Sequence, residues 1–231
     1  MPLDYLALEK HLQLSFREPA LLEQALIHRS YLNEHPECPT GHNERLEFLG
    51  DAVLELVVTE SLYLRYKNPE GELTNWRSAL VNSRSLATTA NTLGIEPYIL
   101  MSRGESRDAN SKARQSILAN AMESLIGAVY LDQGWDAAKT FITQHILSRL
   151  PDILEHKLYM DPKSRFQENA QEQLGVTPTY RVLEESGPDH NKKFVVGIYI
   201  NENQVATGGG TSKQEAQVQA AENALNVKHW D

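Results

Sequence analysis

Apolar residues recur at helical spacing through roughly the first 150 residues and at strand spacing afterwards. LEKHLQLSF, EPALLEQALIHRSYL with Pro19 near its start, NERLEFLGDAVLELV, LTNWRSALVNSRSLATTANTL, SKARQSILANAMESLIGAVYLDQG and DAAKTFITQHILSRL each read as amphipathic or buried helix. Turn signals lie at NPEG (68–71), GIEP (94–97) and QGW (133–135), and no alternating strand pattern interrupts the series. The texture changes after LPDILEHKLYM. DPKSRFQENAQEQLG reads as a helix; TPTYRVLEES and KFVVGIYIN alternate as strands around the turn GPDHNK. QVATGGG adds a short third strand, with GGG (208–210) read as a turn that aims the closing helix TSKQEAQVQAAENALNVK. The pattern predicts two domains, an all-α one over 1–155 and a small α-β-β-β-α one over 161–229, with no low-complexity linker and no internal repeat.

Two of these helices carry acid that their own periodicity does not explain. At about 100° per residue, Leu46, Leu49, Val53, Leu56 and Val57 gather on one side of residues 43–57, while Glu44, Glu47, Asp51 and Glu55 fall within roughly 80° on the other. Arg45 projects outside that arc and the segment has no lysine. Carboxylates three or four residues apart repel one another by a few tenths of a kcal/mol, so nothing local favours the arrangement. Either it is a solvated face or it awaits divalent cations. In SILANAMESLIGAVYL (116–131) apolar residues cover most of the circumference, except for a slot of roughly 60° holding Asn120 and Glu123 with Gly127 between them in projection. A carboxylate on such a helix needs a partner: an arginine such as Arg45 or Arg84, or a cation. Glu47 and Asp51, four apart, can converge on one ion with it. Oxygen donors without a His or Cys cluster suit Mg²⁺ or Mn²⁺ rather than zinc.

Composition narrows the classes. At 231 residues and 41% hydrophobic the chain can bury a core for one or two domains. Its single cysteine, Cys38, excludes an internal disulfide framework, fits a reducing compartment and reads as an incidental thiol in a Pro-rich loop. No apolar run reaches 18 residues, and MPLDYLALEK carries acid where a signal peptide carries base, so a cytoplasmic protein with no membrane span is expected. A net charge of −9 argues against nucleic-acid binding through a bulk positive field, leaving local patches or metals for that role. GGGT at 208–211 lacks the spacing of a phosphate loop, so no nucleotide cofactor is expected, and a hydrolase of small phosphates is disfavoured.

NERLEFLGDAV resembles, as a whole string, the signature of the ribonuclease III family. ILANAMESLIGAVYLDQG is similar to that family's second acidic helix, PEGELTNWRSALV to a further motif, and DPKSRFQE to the opening of its double-stranded-RNA-binding domain. The resemblance runs in order over nearly the whole chain. It implies an all-helical endonuclease domain that dimerises and hydrolyses double-stranded RNA with Mg²⁺, leaving a 5′-phosphate and a two-nucleotide 3′ overhang, in RNA processing such as ribosomal RNA maturation. Glu47, Asp51 and Glu123 match metal-binding positions, Glu44 and Glu72 auxiliary acids, and Phe48 an aromatic knob at the homodimer interface. Such hydrolysis needs an activated water, neutralised phosphoryl oxygens and a stabilised leaving oxygen, and a pair of divalent ions held by carboxylates can serve all three.

Asn120 departs from the pattern, standing where the family most often has aspartate. It keeps a carbonyl oxygen and gives up a charge. Either it is a neutral member of the catalytic and metal set, or ion affinity falls so far that the protein is a duplex-RNA binder with weak or no cleavage. In the second domain the resemblance assigns Ser164, Gln167, Gln171 and His190 to minor grooves and Lys213 to phosphate, with Gln214 where a second lysine is common.

Overall fold

The computed structural model describes residues 4–107, 111–188 and 192–230. The chain divides into two compact units, Met1–Ile153 and Leu154–Asp231. The first is helical: α1 (Tyr5–Leu12), α2 (Pro19–Ala25), α3 (Arg29–Glu34), α4 (Glu44–Arg65), α5 (Glu70–Val81), α6 (Ser83–Thr92), α7 (Arg103–Ser106), α8 (Lys112–Gln133), α9 (Trp135–His145) and α10 (Leu150–Glu155), which runs across the division. The second holds α11 (Pro162–Leu174), β1 (Thr179–Ser186), β2 (Lys193–Ile200), β3 (Asn203–Gly210) and α12 (Lys213–Lys228).

α8 is the axis of the first unit. Ile117, Leu118, Ala119, Ala121, Met122 and every residue from Ser124 to Val129 are buried, so the helix needs neighbours on all sides. α2, α4, α6 and α9 supply them. Two stretches that read as single helical patterns are broken by tertiary demands. EPALLEQALIHRSYL becomes α2 and α3, because Ile27 leaves the helix to bridge Leu100. LTNWRSALVNSRSLATTANTL becomes α5 and α6 at Asn82, whose extended backbone (φ −66°, ψ 157°) and side-chain oxygen cap Ser85 N–H.

α4 corrects the expected apolar face. Leu46, Gly50, Val53, Leu54, Val57, Val58 and Leu62 are its buried residues, whereas Leu56 is 57% exposed. Leu56 instead shares an exposed stripe with Phe48, Ala52 and Tyr63. A wheel read from residue type alone cannot separate an apolar side facing the core from one facing outward.

In the second unit the antiparallel sheet runs β1-β2-β3. One face buries Ile198 and Ile200 against Phe166 and Ala170 of α11 and Ala220, Ala221, Ala224 and Leu225 of α12. The glycines expected to turn toward the last helix are strand residues: Gly208 pairs with Val196 and Gly210 with Phe194. A Cβ at Gly208 would stand 2.6 Å from the Ala216 carbonyl oxygen, and one at Gly210 2.7 Å from Ala216 N. These glycines are there because α12 lies almost on β3, not to bend the chain.

Candidate functional site

The acidic groups of the first unit meet because α4 and α8 cross backbone against backbone. Gly50 of α4 faces α8 so closely that an added Cβ would overlap the Glu123 carbonyl oxygen and lie 2.8 Å from Gly127 N. Gly127 is equally tight, with the Leu46 carbonyl oxygen where its Cβ would be and Gly50 N 3.1 Å away. The slot seen in sequence around Asn120, Glu123 and Gly127 is therefore the groove that receives α4. Ser124, wholly buried beside it, donates to the Asn120 carbonyl at 2.7 Å and lies 3.3 Å from the Asn43 carbonyl. Asn43 in turn ties the start of α4 to the end of α2, its N–H donating to the Ile27 carbonyl at 2.9 Å.

This crossing puts Glu47 and Asp51 from α4 beside Asn120 and Glu123 from α8. Glu123 is the most perturbed acid: burial, then the negative charges of Asp51, Glu47 and Glu55, push its carboxyl up to about 7. The groups acting on it are all acids, so neither Arg45 nor Arg84 is its counter-ion. Glu47 is also raised, by burial and by Glu44, while a hydrogen bond from Asn120 and the charge of Arg29 oppose the shift. Asn120 thus serves Glu47 as a donor. Glu55, unassigned from sequence, pairs with Arg77 at 3.1 Å.

The donor chemistry, three carboxylates and an amide around a half-buried spot of net negative charge, fits a hard divalent cation. Among the described residues no three His, Cys, Asp or Glu side chains already form a ready cage.

Of the auxiliary acids, Glu44 lines a polar cleft of about 940 Å³ together with Glu47 and Asn120. It pairs there with Arg29 at 3.2 Å. Glu72 is not brought to the group: it is exposed on α5, accepts the Asn68 amide at 2.8 Å, and is not among the charges acting on Glu47 or Glu123. Phe48 is 82% exposed.

On the second unit Ser164, Gln167 and Gln171 are exposed along one face of α11. Lys213 opens α12, 5.7 Å over the Phe194 ring. His190 lies outside the described residues. Sequence reading missed Glu185 on β1, whose carboxylate accepts from Lys192 at 2.9 Å and stands 3.9 Å from Lys213. Both lysines hold its carboxyl below the usual range. It also missed Arg29, whose place beside the cleft follows from the break between α2 and α3 rather than from spacing.

Comparison with known proteins finds a family match in each part of the chain. Residues 18–150 match the model of the Ribonuclease-III-like family and residues 162–228 that of the double-stranded RNA binding motif. A protein named Ribonuclease 3 from Oceanobacillus iheyensis is 43% identical over 97% of this chain and 98% of its own. Another, from Carboxydothermus hydrogenoformans, is 43% identical over 96% of this chain and 94% of its own. Among solved structures, the nuclease domain of ribonuclease III from Campylobacter jejuni is 41% identical, covers 64% of this chain and 99% of its own, and has a TM-score of 0.56. These relatives favour a nuclease over a non-cleaving binder, and nucleases of this kind typically work with a divalent metal ion. The chain belongs to the ribonuclease III family, the endoribonucleases of double-stranded RNA.

Proposed function

We propose that Glu47, Asp51 and Glu123, with Asn120 as a neutral fourth member, hold Mg²⁺ at the α4–α8 crossing and that RNA duplexes are cut there. The observation that carries this reading is Glu123, half-buried among acids and, among the described residues, with no basic group acting on it. Mn²⁺ can use the same oxygen set. Divalent ions there supply the charge that neutralises the phosphoryl oxygens and lowers the proton affinity of a water. The chain's own residues set the geometry. The glycine contact fixes the two acidic walls, burial of Glu123 strengthens its pull on a cation, and Asn120 favours the ionised form of the Glu47 carboxyl.

Asn120 provides the direct test. Across a Mg²⁺ titration of duplex-RNA cleavage, Asn120→Asp should reach half-maximal rate at roughly tenfold lower Mg²⁺, because it restores a charged ligand. A parent and variant that both leave the duplex intact would return the reading to an RNA binder.

The exposed stripe Phe48, Ala52, Leu56 and Tyr63, within about 80° of α4, supports a homodimer; the Campylobacter jejuni structure is described as flexible in a region involved in dimer formation. Two sites, one per protomer, would cut both strands and leave a 5′-phosphate with a two-nucleotide 3′ overhang, as in the maturation of ribosomal RNA precursors. Phe48→Glu should sediment as a monomer at concentrations where the parent is dimeric; a monomeric parent rejects the dimer. RNA as substrate agrees with a cytoplasmic location, and among the described residues no helix is long and apolar enough to cross a membrane.

In the second unit Ser164, Gln167 and Gln171 would meet a minor groove and Lys213 phosphate, where the N-terminus of α12 adds partial positive charge. Glu185 competes for that lysine. Lys213→Ala should reduce the salt slope of duplex binding by about 1, and Glu185→Gln should tighten binding by removing the carboxylate that competes with phosphate for Lys213. Gel shifts across a KCl series read both, and an unchanged slope in Lys213→Ala removes that residue from the interface.

A further inference from the structure

The cleft beside the acidic cluster has one permanently charged cation in its wall. Among the described residues that line its roughly 940 Å³, Arg29 is the sole Lys or Arg, and Glu44, Glu47 and Asn120 lie in the same wall. The Arg29 guanidinium donates from Nη1 to Glu44 Oε1 at 3.2 Å, and its charge is felt at Glu47. An exposed ion pair of this kind contributes little to stability, a weak reason for placing a guanidinium there. Substrate gives a stronger one. A duplex strand carries one negative charge per nucleotide, and a cation held by Glu47, Asp51 and Glu123 neutralises only the phosphate being cut. The next phosphate along that strand, entering the cleft, meets Glu44 and Glu47 and is repelled unless a cation receives it. A guanidinium presents two parallel N–H donors to a phosphate.

We propose that Arg29 binds the RNA phosphate next to the scissile one and that Glu44 is a positioning residue, holding the guanidinium over the cleft rather than ligating metal. The proposal rests on the reading that Glu47, Asn120 and Glu123 flank the scissile phosphate. It also gives the two auxiliary acids different standing: Glu44 acts through Arg29, and Glu72, remote from the group, does not.

The test is single-turnover cleavage of a short RNA duplex by the full-length protein, with enzyme concentration varied across a KCl series at saturating Mg²⁺, together with gel-shift binding in the same series. Arg29→Ala should raise the half-saturating enzyme concentration about tenfold or more, lower the salt slope by about 1 and move the Mg²⁺ midpoint far less than Glu47→Gln does. Arg29→Lys should recover part of the loss. Glu44→Gln should shift half-saturation in the same direction by less, again with a Mg²⁺ midpoint that moves far less than in Glu47→Gln. Because Arg29 is 70% exposed, these variants should melt with the parent, and Arg29→Gln repeats the test should the alanine variant not. A cleaving parent whose Arg29→Ala keeps the same half-saturation and slope overturns the proposal alone. A Glu44→Gln variant that shifts the Mg²⁺ midpoint as far as Glu47→Gln does makes Glu44 a ligand and overturns its positioning role. A parent that leaves the duplex intact in Mg²⁺ overturns the site reading, and this proposal with it.

Discussion

Glu123→Gln should lower Mg²⁺-dependent cleavage of duplex RNA by about 100-fold or more while raising the thermal stability of the metal-free protein at pH 8. The two effects have one origin. Glu123 sits half-buried on α8 with Asp51, Glu47 and Glu55 acting on it and, among the described residues, no basic group doing so. Ionised without metal, it destabilises the fold; ionised with metal, it is the strongest anchor available to the cation. Glutamine keeps the shape and hydrogen-bonding reach, mimics the protonated acid and removes the charge, so stability and activity move in opposite directions. Cleavage at the parental rate in Glu123→Gln would remove the residue from the ligand set, and so would Glu47→Gln for its own position.

The sign of the pH dependence follows from the same carboxyl. Its value in the fold, about 7, stands above the ordinary 4.5, so the folded state holds the proton more tightly than the unfolded one. The stability it contributes is complete below pH 4.5 and is lost as pH rises through about 7. Metal-free parent should therefore lose melting temperature across that window and Glu123→Gln should lose less. Saturating Mg²⁺ should restore the parent, because an ion that binds only the fold stabilises it by mass action, and should leave the variant nearly unmoved. Apparent Mg²⁺ affinity should likewise rise with pH, since binding displaces the proton. A parent with a flat melting profile between pH 5 and 8 would mean that Glu123 is ionised throughout and that a further positive group overcomes its burial.

How much of this was legible in the sequence depended on whether a feature was local. Helical spacing exposed the acid arc of α4 and the slot of α8, because both are properties of one helix. The strand alternation of KFVVGIYIN marked β2, which lies in the middle of the sheet. What the spacing could not supply was which faces meet. Leu56 read as core since it is apolar and lies near Val53 and Val57 on a wheel, yet the actual neighbour of α4 is chosen by Gly50 and Gly127, and Leu56 falls outside. Gly208 and Gly210 read as a turn since glycine usually marks one, whereas close approach of Ala216 and Ala220 is a fact about a helix encoded downstream. Arg29 and Glu185 carried no signal, because each acquires its meaning from a partner brought near only by the fold: Glu44 for the first, Lys192 and Lys213 for the second.

Gly50→Ala should cause the largest loss of stability of any single methyl addition in the first unit, at or above the upper end of the roughly 1–3 kcal/mol typical of overpacking. An alanine Cβ there meets the Glu123 carbonyl and Gly127 N, which are backbone atoms that no rotamer change can move. α4 and α8 must separate, and for a unit of this size each kcal/mol corresponds to about 2–4 °C in melting temperature. The separation acts on the site as well, since Glu47 and Asp51 ride on one helix and Asn120 and Glu123 on the other. A displacement on the order of 1 Å between reacting groups lowers rate by about 100-fold, so cleavage should fall even at temperatures where the variant remains folded, and excess Mg²⁺ should recover little of it. Gly71→Ala is the matched control: nothing lies within 4 Å of its added Cβ, and alanine near the start of α5 should be neutral or slightly stabilising. If Gly50→Ala melted and cut RNA as Gly71→Ala does, the backbone contact would not be what holds the acidic walls together, and the geometry of the site would need another source.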